Sequence, residues 1–331
     1  MKKEGLTILS LFDGISCGYL ALEKANIKIK KYYSSEIEKN ALQLQSQHYS
    51  GNTSFCPIGD VKKINGADYA HVQLIIGGSP CINLSSINPK DRSGLDGEHS
   101  SLFYEFVRII KEILAVKPKG EKLYVLLENV ASMANSEKEK ISIAISEALG
   151  EDVRPIKINS AILAPANRRR LYWSNIKGIK MPTPVEAKYQ NIVENGYVDR
   201  EKANVLLSSN VTNTMGIFRY YKMNLGNIIF KKKNFADLPT KEKLELYPAI
   251  LKASGHKGKA RAVPNEYEFP NGCYRLPSVL ECERLMTMPD GYVSGVPNIS
   301  KTEKHKLIGL SFTVDVVAHL LGQLKNVSHS H

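Results

Sequence analysis

Short apolar runs alternate with amphipathic stretches through the first 150 residues, and this alternation limits the fold more than any other feature of the chain. "LTILSLF" (6–12) has strand character and stops at Asp13-Gly14. "YLALEKAN" follows with helical spacing, and "KIKKYYSSEI" is a second strand ending at Glu36. "EKNALQLQSQHY" reads as a helix. After a short extended segment comes "GD" (59–60), then the buried strand "VQLIIGG" (72–78). "SSLFYEFVRIIKEILAVKP" is an amphipathic helix stopped by Pro118, "KLYVLLENV" (122–130) a strand, and "SEKEKISIAISEALG" a helix with Gly150 as its stop. Such an order predicts an α/β fold with a parallel sheet covered on both faces.

The pattern breaks after "RRRLYWSNI" (168–176). From "MPTPVEAKYQ" to about Gly272 no clean period survives. Between Arg219 and Arg261 basic residues crowd together, opposed only by Asp237, Glu242 and Glu245. Regularity resumes with "LPSVLECERLMTMP" and "KTEKHKLIGLSFTVDVVAHLLGQL". The expected division is therefore a main domain from 1–180 and 275–325, an inserted smaller domain from 181–274, and a tail at 326–331.

Composition narrows the partners. Lys and Arg total 45 against 33 Asp and Glu, a formal charge of +12, which suits an anionic partner, nucleic acid first. A lysine-rich proteome would give the same balance. The five cysteines, Cys17, Cys56, Cys81, Cys273 and Cys282, are odd in number and unpaired in spacing. That argues against a zinc site and a disulfide framework, and suits a reducing cytoplasm. The N-terminal apolar run is too short and interrupted for a signal peptide, and no stretch has the length of a membrane span.

Three strand ends carry candidate ligand groups. Gly14 and Gly18 stand at a strand-to-helix turn, where backbone can approach a ligand. The spacing is neither a dinucleotide nor a phosphate-loop fingerprint. Glu36 suits a ribose diol, and Asp60 an adenine amino group. Each acid alone is as well explained as a solvated loop carboxylate; together they favour a nucleoside without a pyrophosphate.

At the other end, Cys81 follows the "LIIGG" strand and Pro80, which stiffens the turn. It is either a buried filler thiol or a nucleophile. Glu128 and Asn129 end the next strand, and a glutamate closing an apolar run is costly unless paired or working. In "ANRRRLYW", alternation places Arg168 and Arg170 on one strand face and Arg169 on the other.

These residues, in this order, resemble the DNA cytosine-5 methyltransferases that use S-adenosylmethionine. The likeness runs through "LFDGISCG", Glu36, "GDV" (59–61), "GGSPCINLS", "SLFYEFVRII", "LENV", "PANRRRLYW", "RLPSVLECERLMTMP" and "IGLSFTVDVVAHL". In motif style it is nearest to the de novo branch and its bacterial and phage relatives. The resemblance implies a Rossmann-like methyltransferase fold with an inserted target-recognition domain at 181–274. It implies methyl transfer to C5 of a flipped cytosine through a covalent cysteine–C6 adduct, with S-adenosylhomocysteine as product. Cys81 would be the nucleophile, Glu128 would hold N3 and the exocyclic amine, and Arg170 the base O2. Arg168 would support the site, Asn129 brace the catalytic loop, and Ser85 lie along the DNA, with Asn83 in the same loop. Phe12, Asp13, Gly14, Ile15, Cys17, Gly18, Glu36, Ile37, Asp60, Val61, Pro80, Leu102, Ser311 and Phe312 would line the cofactor pocket. Lys257, Lys259 and Arg261 would contact double-stranded DNA. No metal and no membrane are expected; a cytoplasmic monomer is, with a cognate restriction enzyme as a candidate partner.

Two positions depart from the pattern: Ala166 stands where the family usually has Gln, and Gly309-Leu310 where it has Gly-Asn. A tRNA-directed relative is disfavoured because Ile82-Asn83 follows the cysteine instead of Phe-Thr. A silent DNA-binding paralogue is disfavoured because Cys81 and Glu128 are both present, and a nicotinamide oxidoreductase by the glycine spacing.

Overall fold

The structure is a computed structural model that describes residues 5–80, 95, 102–206, 220, 224–245 and 274–327. Cys81, Ser85, Lys257, Lys259 and Arg261 lie outside these. The chain forms two compact units. The first comprises residues 1–159, 169–182 and 314–331, the second 160–168 and 183–313. Residues 275–313, grouped with the main domain on sequence pattern, thus cluster by contact with the inserted segment.

The first unit is a seven-stranded sheet in the order β3-β2-β1-β4-β5-β7-β6. Its strands are β1 (Leu6–Leu11), β2 (Ile29–Ser35), β3 (Phe55–Pro57), β4 (Leu74–Gly77), β5 (Tyr124–Val130), β6 (Ile156–Asn159) and β7 (Arg169–Ser174). Helices α1 (Cys17–Lys24), α2 (Lys39–Tyr49), α3 (Phe103–Val116) and α4 (Asn135–Leu149) connect them. Strands β1 to β5 pair in parallel, as the strand–helix order predicts. β7, beyond the stretch whose strand–helix alternation predicts parallel strands, runs antiparallel to both β5 and β6. The physical reason is length: residues 160–168 are too few for a crossover and permit only a hairpin-like return. Gly150, in the left-handed conformation, caps α4 where the sequence places its stop.

Strands β4 and β5 are apolar without alternation because helices cover both faces. Phe103, Phe106, Ile109, Ile110 and Ile113 of α3 are wholly buried against Leu9, Ile75, Val125 and Leu127. Apolar residues recur at three- and four-residue steps from Phe103 through Ile113, which sets the buried face of α3. The C-terminal helices α9 (Val314–Gly322) and α10 (Leu324–Val327), numbered after four helices of the second unit, return to the first, where α9 packs on α1 and Asp315 pairs with Lys24.

The second unit holds α5 (Lys233–Asp237), α6 (Thr240–Glu245), α7 (Val279–Leu285), α8 (Lys301–Leu310) and a small ladder of β8 (Ile229–Phe230) with β9 (Tyr274–Arg275). Tyr220, Ile228, Phe230 and Ala236 form its local core. Asp199 and Lys243 are buried together there at 3.0 Å, and the Tyr220 hydroxyl donates to the same aspartate at 2.6 Å.

Candidate active site

The glycine turn after β1 is held from inside. Phe12, Gly14 and Ser16 all have positive φ, near 55°, 57° and 58°, an unusual run for a chain with only one glycine among the three. The buried Asp13 carboxylate supports it. Its Oδ1 accepts from Ser10 Oγ and the Tyr32 hydroxyl at 2.5 Å each. Its Oδ2 accepts from Ser16 Oγ at 2.6 Å, Ser34 Oγ at 2.7 Å and Gln45 Nε2 at 3.2 Å. Gln45 also donates to the Gly14 carbonyl at 2.8 Å. Gly18 is required beside this cage, since a Cβ there would stand 2.9 Å from the Tyr32 hydroxyl. Burial lifts the Asp13 carboxyl above its ordinary pKa, against the pull of the four hydroxyls.

The side chains of Asp13, Ile15 and Cys17 are buried in the unit, where they stabilise the turn.

The neighbouring strand ends remain available. Glu36, following β2, takes the Gly14 N–H on Oε2 at 2.7 Å and the Ile37 and Glu38 N–H groups on Oε1 at 2.7 and 2.8 Å. With two lone pairs per oxygen, Oε2 retains acceptor capacity for a ligand hydroxyl. Ile37 beside it is 69% exposed, a large apolar side chain without cover. Asp60, after β3, uses Oδ1 to cap a 3-10 turn through Lys62 N–H at 3.0 Å, which leaves Oδ2. Val61 is buried, and Leu102 packs on the sheet core ahead of α3. Acceptors on Glu36 and Asp60, an apolar plate at Ile37, and a Gly14 whose missing Cβ opens onto empty space fit a nucleoside with a hydroxylated sugar.

At the ends of β4 and β5 two adjacent residues point to opposite faces, as strand alternation requires. Asn129 is buried and donates through Nδ2 to Ser79 Oγ at 3.1 Å and Ser79 O at 3.3 Å. That fixes the backbone two residues before Cys81. Glu128 faces the other way, toward Arg170. Val130 pairs with Arg170 and Glu128 with Tyr172, so Glu128 and Arg170 are diagonal neighbours on one face. Arg170 Nε lies 2.8 Å from Glu128 Oε1.

β7 begins at Arg169, one residue past Arg168. Arg168 belongs to the second unit, is buried, and donates to Gly309 O at 3.2 Å and Ser311 O at 2.8 Å. Arg169 is exposed, as expected. Ser311 and Phe312 also belong to the second unit, half-buried at the end of α8.

The family model for C-5 cytosine-specific DNA methylases matches residues 6–326. The chain belongs to this family. Among curated methylases, a type II methyltransferase of Lactococcus lactis, M1.ScrFI, is 31% identical over 58% of the chain and 50% of its own length. The Arabidopsis DNA (cytosine-5)-methyltransferase DRM1 is 36% identical over 33% of the chain and 19% of its own. The chain thus spans about half the length, or less, of the curated relatives it matches. The solved Entamoeba histolytica methyltransferase EhMeth shares the fold, with a TM-score of 0.67 at 13% identity over 98% of this chain and 99% of that one. S. pombe Dnmt2 does so at 0.66 and 17%, over 98% and 99%.

The methylase sequence left several supporting residues unread. Ser79, Tyr32, Ser34 and Gln45 act through hydroxyl and amide contacts across 11 to 50 positions of chain, which no local spacing displays. Among the described residues no cluster of His, Cys, Asp and Glu is arranged for a metal, and no helix is long and apolar enough to cross a membrane.

Proposed function

We propose that the protein is a DNA cytosine-5 methyltransferase that uses S-adenosylmethionine and acts on a cytosine flipped from a duplex. The observation that carries this reading is the paired end of β5: Glu128 against Arg170 on one face, Asn129 tied to Ser79 just ahead of Cys81 on the other. The family match across 6–326 supports it.

Cytosine C5 is a weak nucleophile. Addition of the Cys81 thiolate to C6 would form a carbon–sulfur bond and make C5 electron-rich. Glu128 would donate to N3 as charge develops and accept from the exocyclic amine, and Arg170 would hold O2. Once C5 has bonded to the methyl carbon and the sulfur has left as S-adenosylhomocysteine, loss of the C5 proton and then of the thiolate from C6 would restore the aromatic ring. Asn129 would hold the Cys81 segment through Ser79, and Ser85 would lie along the DNA. The cofactor supplies a methyl group on a cationic sulfur, which suits a pocket lacking a phosphate fingerprint. Glu36 would accept from its ribose, Ile37 pack on its adenine, Asp60 accept from the adenine amine, and Phe12, Gly14, Val61 and Leu102 complete the enclosure. Flipping the base costs a few kcal/mol.

Residues 181–274 would serve recognition, with Lys257, Lys259 and Arg261 contacting the duplex. The type II name of the lactococcal relative supports a place beside a cognate restriction enzyme. A 5-fluorocytosine duplex with S-adenosylmethionine is expected to give a covalent adduct with the wild type and none with Cys81→Ser. A noncovalent mixture in both would overturn the reading, and bisulfite sequencing of host DNA would identify the target.

A further inference from the structure

The helix that follows the Cys81 segment also grips the turn after β3. Arg108, on α3, donates from Nη1 to the Ile64 carbonyl at 2.8 Å and from Nη2 to the Val61 carbonyl at 3.2 Å. The same guanidinium is held by Glu105 Oε2, 2.8 Å from Nε and 2.7 Å from Nη2, and by both oxygens of Glu112, 2.8 Å from Nη1. Glu112 Oε2 in turn accepts the Gly66 N–H at 2.7 Å. Position 66 needs glycine, because a Cβ would stand 2.7 Å from Glu112 Cβ and 2.8 Å from Ile109 O. Val61 opens the 3-10 turn capped by Asp60, and Ile64 closes it. Burial works against the charged Glu112, yet Arg108 and the Gly66 N–H hold its carboxyl below the ordinary range. One guanidinium therefore ties the whole Asp60–Gly66 segment to α3.

We infer that Arg108 is a positioning residue for the cofactor: it sets the Asp60 turn against α3, so that Asp60 and Val61 meet the adenine without rearrangement. The inference rests on the proposed reading of Asp60 as the adenine contact. A planar fork can serve two carbonyls and two carboxylates together, whereas a lysine ammonium is a point charge.

The test uses the full chain and calorimetric binding of S-adenosylhomocysteine and of its analogue with purine in place of adenine, alongside thermal melting and duplex binding. Arg108→Ala is expected to weaken S-adenosylhomocysteine about tenfold, the effect of losing charge-assisted hydrogen bonds. KM for S-adenosylmethionine rises while kcat at saturation and duplex affinity hold, and the preference for adenine over purine collapses. Combined with Asp60→Ala, Arg108→Ala costs clearly less than it does alone, the remainder acting through Val61. A folded Arg108→Ala protein with unchanged S-adenosylhomocysteine affinity, or full additivity with Asp60→Ala, overturns the inference. Should Arg108→Ala fail to fold, Arg108→Lys decides by the same readings: a partial loss supports the assignment and unchanged affinity overturns it. If Asp60→Ala itself leaves the affinity intact, the adenine reading fails instead, whatever Arg108 does.

Discussion

Arg170 and Glu128 meet diagonally across the antiparallel ladder of β5 and β7, with Nε 2.8 Å from Oε1. The pair holds the carboxylate in place before any substrate arrives. Glu128→Gln keeps the shape but loses the acid. It is expected to lower kcat by about a hundredfold or more, the scale for removing one group that stabilises developing charge. Cofactor affinity should be unchanged. Single-turnover methylation of a duplex, beside calorimetric binding of S-adenosylhomocysteine, measures both.

The Asp13 cage predicts a stability effect remote from any ligand. Tyr32→Phe removes one hydroxyl from Asp13 Oδ1 and leaves Ser10 alone on that oxygen. The expected cost is about 1–3 kcal/mol for a buried charge-assisted hydrogen bond. Gly18→Ala should cost a similar amount by crowding the same hydroxyl, and Gly18→Ala in a Tyr32→Phe background should cost less than in the wild type. Urea midpoints of the four proteins complete the cycle.

Acid should loosen the second unit in a stated window. Glu281 is wholly buried, takes Arg275 Nη2 and Nη1 at 2.7 Å each, and accepts from the N–H groups of Ser278 and Glu194. Burial pushes its carboxyl up, but Arg275 and the two N–H groups outweigh it and leave the pKa below the unfolded value of 4.5. The stabilisation is thus present above that value and is lost as pH falls through the folded pKa. The part of the thermal stability that Arg275→Met removes should hold steady from neutrality downward and drop only below about pH 4.5. Arg275→Met should flatten that acid slope and cost about 3 kcal/mol at neutral pH, because a buried carboxylate loses its partner.

Lysines of one basic stretch should behave in opposite ways. Lys231, Lys232 and Lys233 are exposed, whereas Lys243 is buried against Asp199 and the Ala236 carbonyl. Replacing the three exposed lysines with Ala should reduce the salt dependence of duplex binding, by roughly one unit of log–log slope for each phosphate no longer neutralised. Lys243→Met should leave that slope alone and lower the melting temperature. A reversed outcome would assign the phosphate contacts elsewhere in the unit.

The strand ends were legible because an acidic residue stands at or just past each of four strands: Asp13, Glu36, Asp60 and Glu128. The reversal of β7 was not, since antiparallel and parallel strands carry the same apolar run when both faces are covered, and only the short 160–168 connection marks the difference. Arg108 looked like any charged residue on the flank of an amphipathic helix. Its partners outside the helix, at Val61 and Ile64, are backbone carbonyls, and carbonyls leave no trace in sequence.

The Asp13 cage also bears on how such chains diverge. Residues 10, 13, 18, 32 and 34 sit on three elements and the turn between them, yet each is comprehensible only through the others. A descendant that gives up the acid gains nothing from keeping the tyrosine hydroxyl, and one that acquires a side chain at position 18 has no room for it. Across evolutionary time the five positions form one inherited character, and they are expected to change together or not at all.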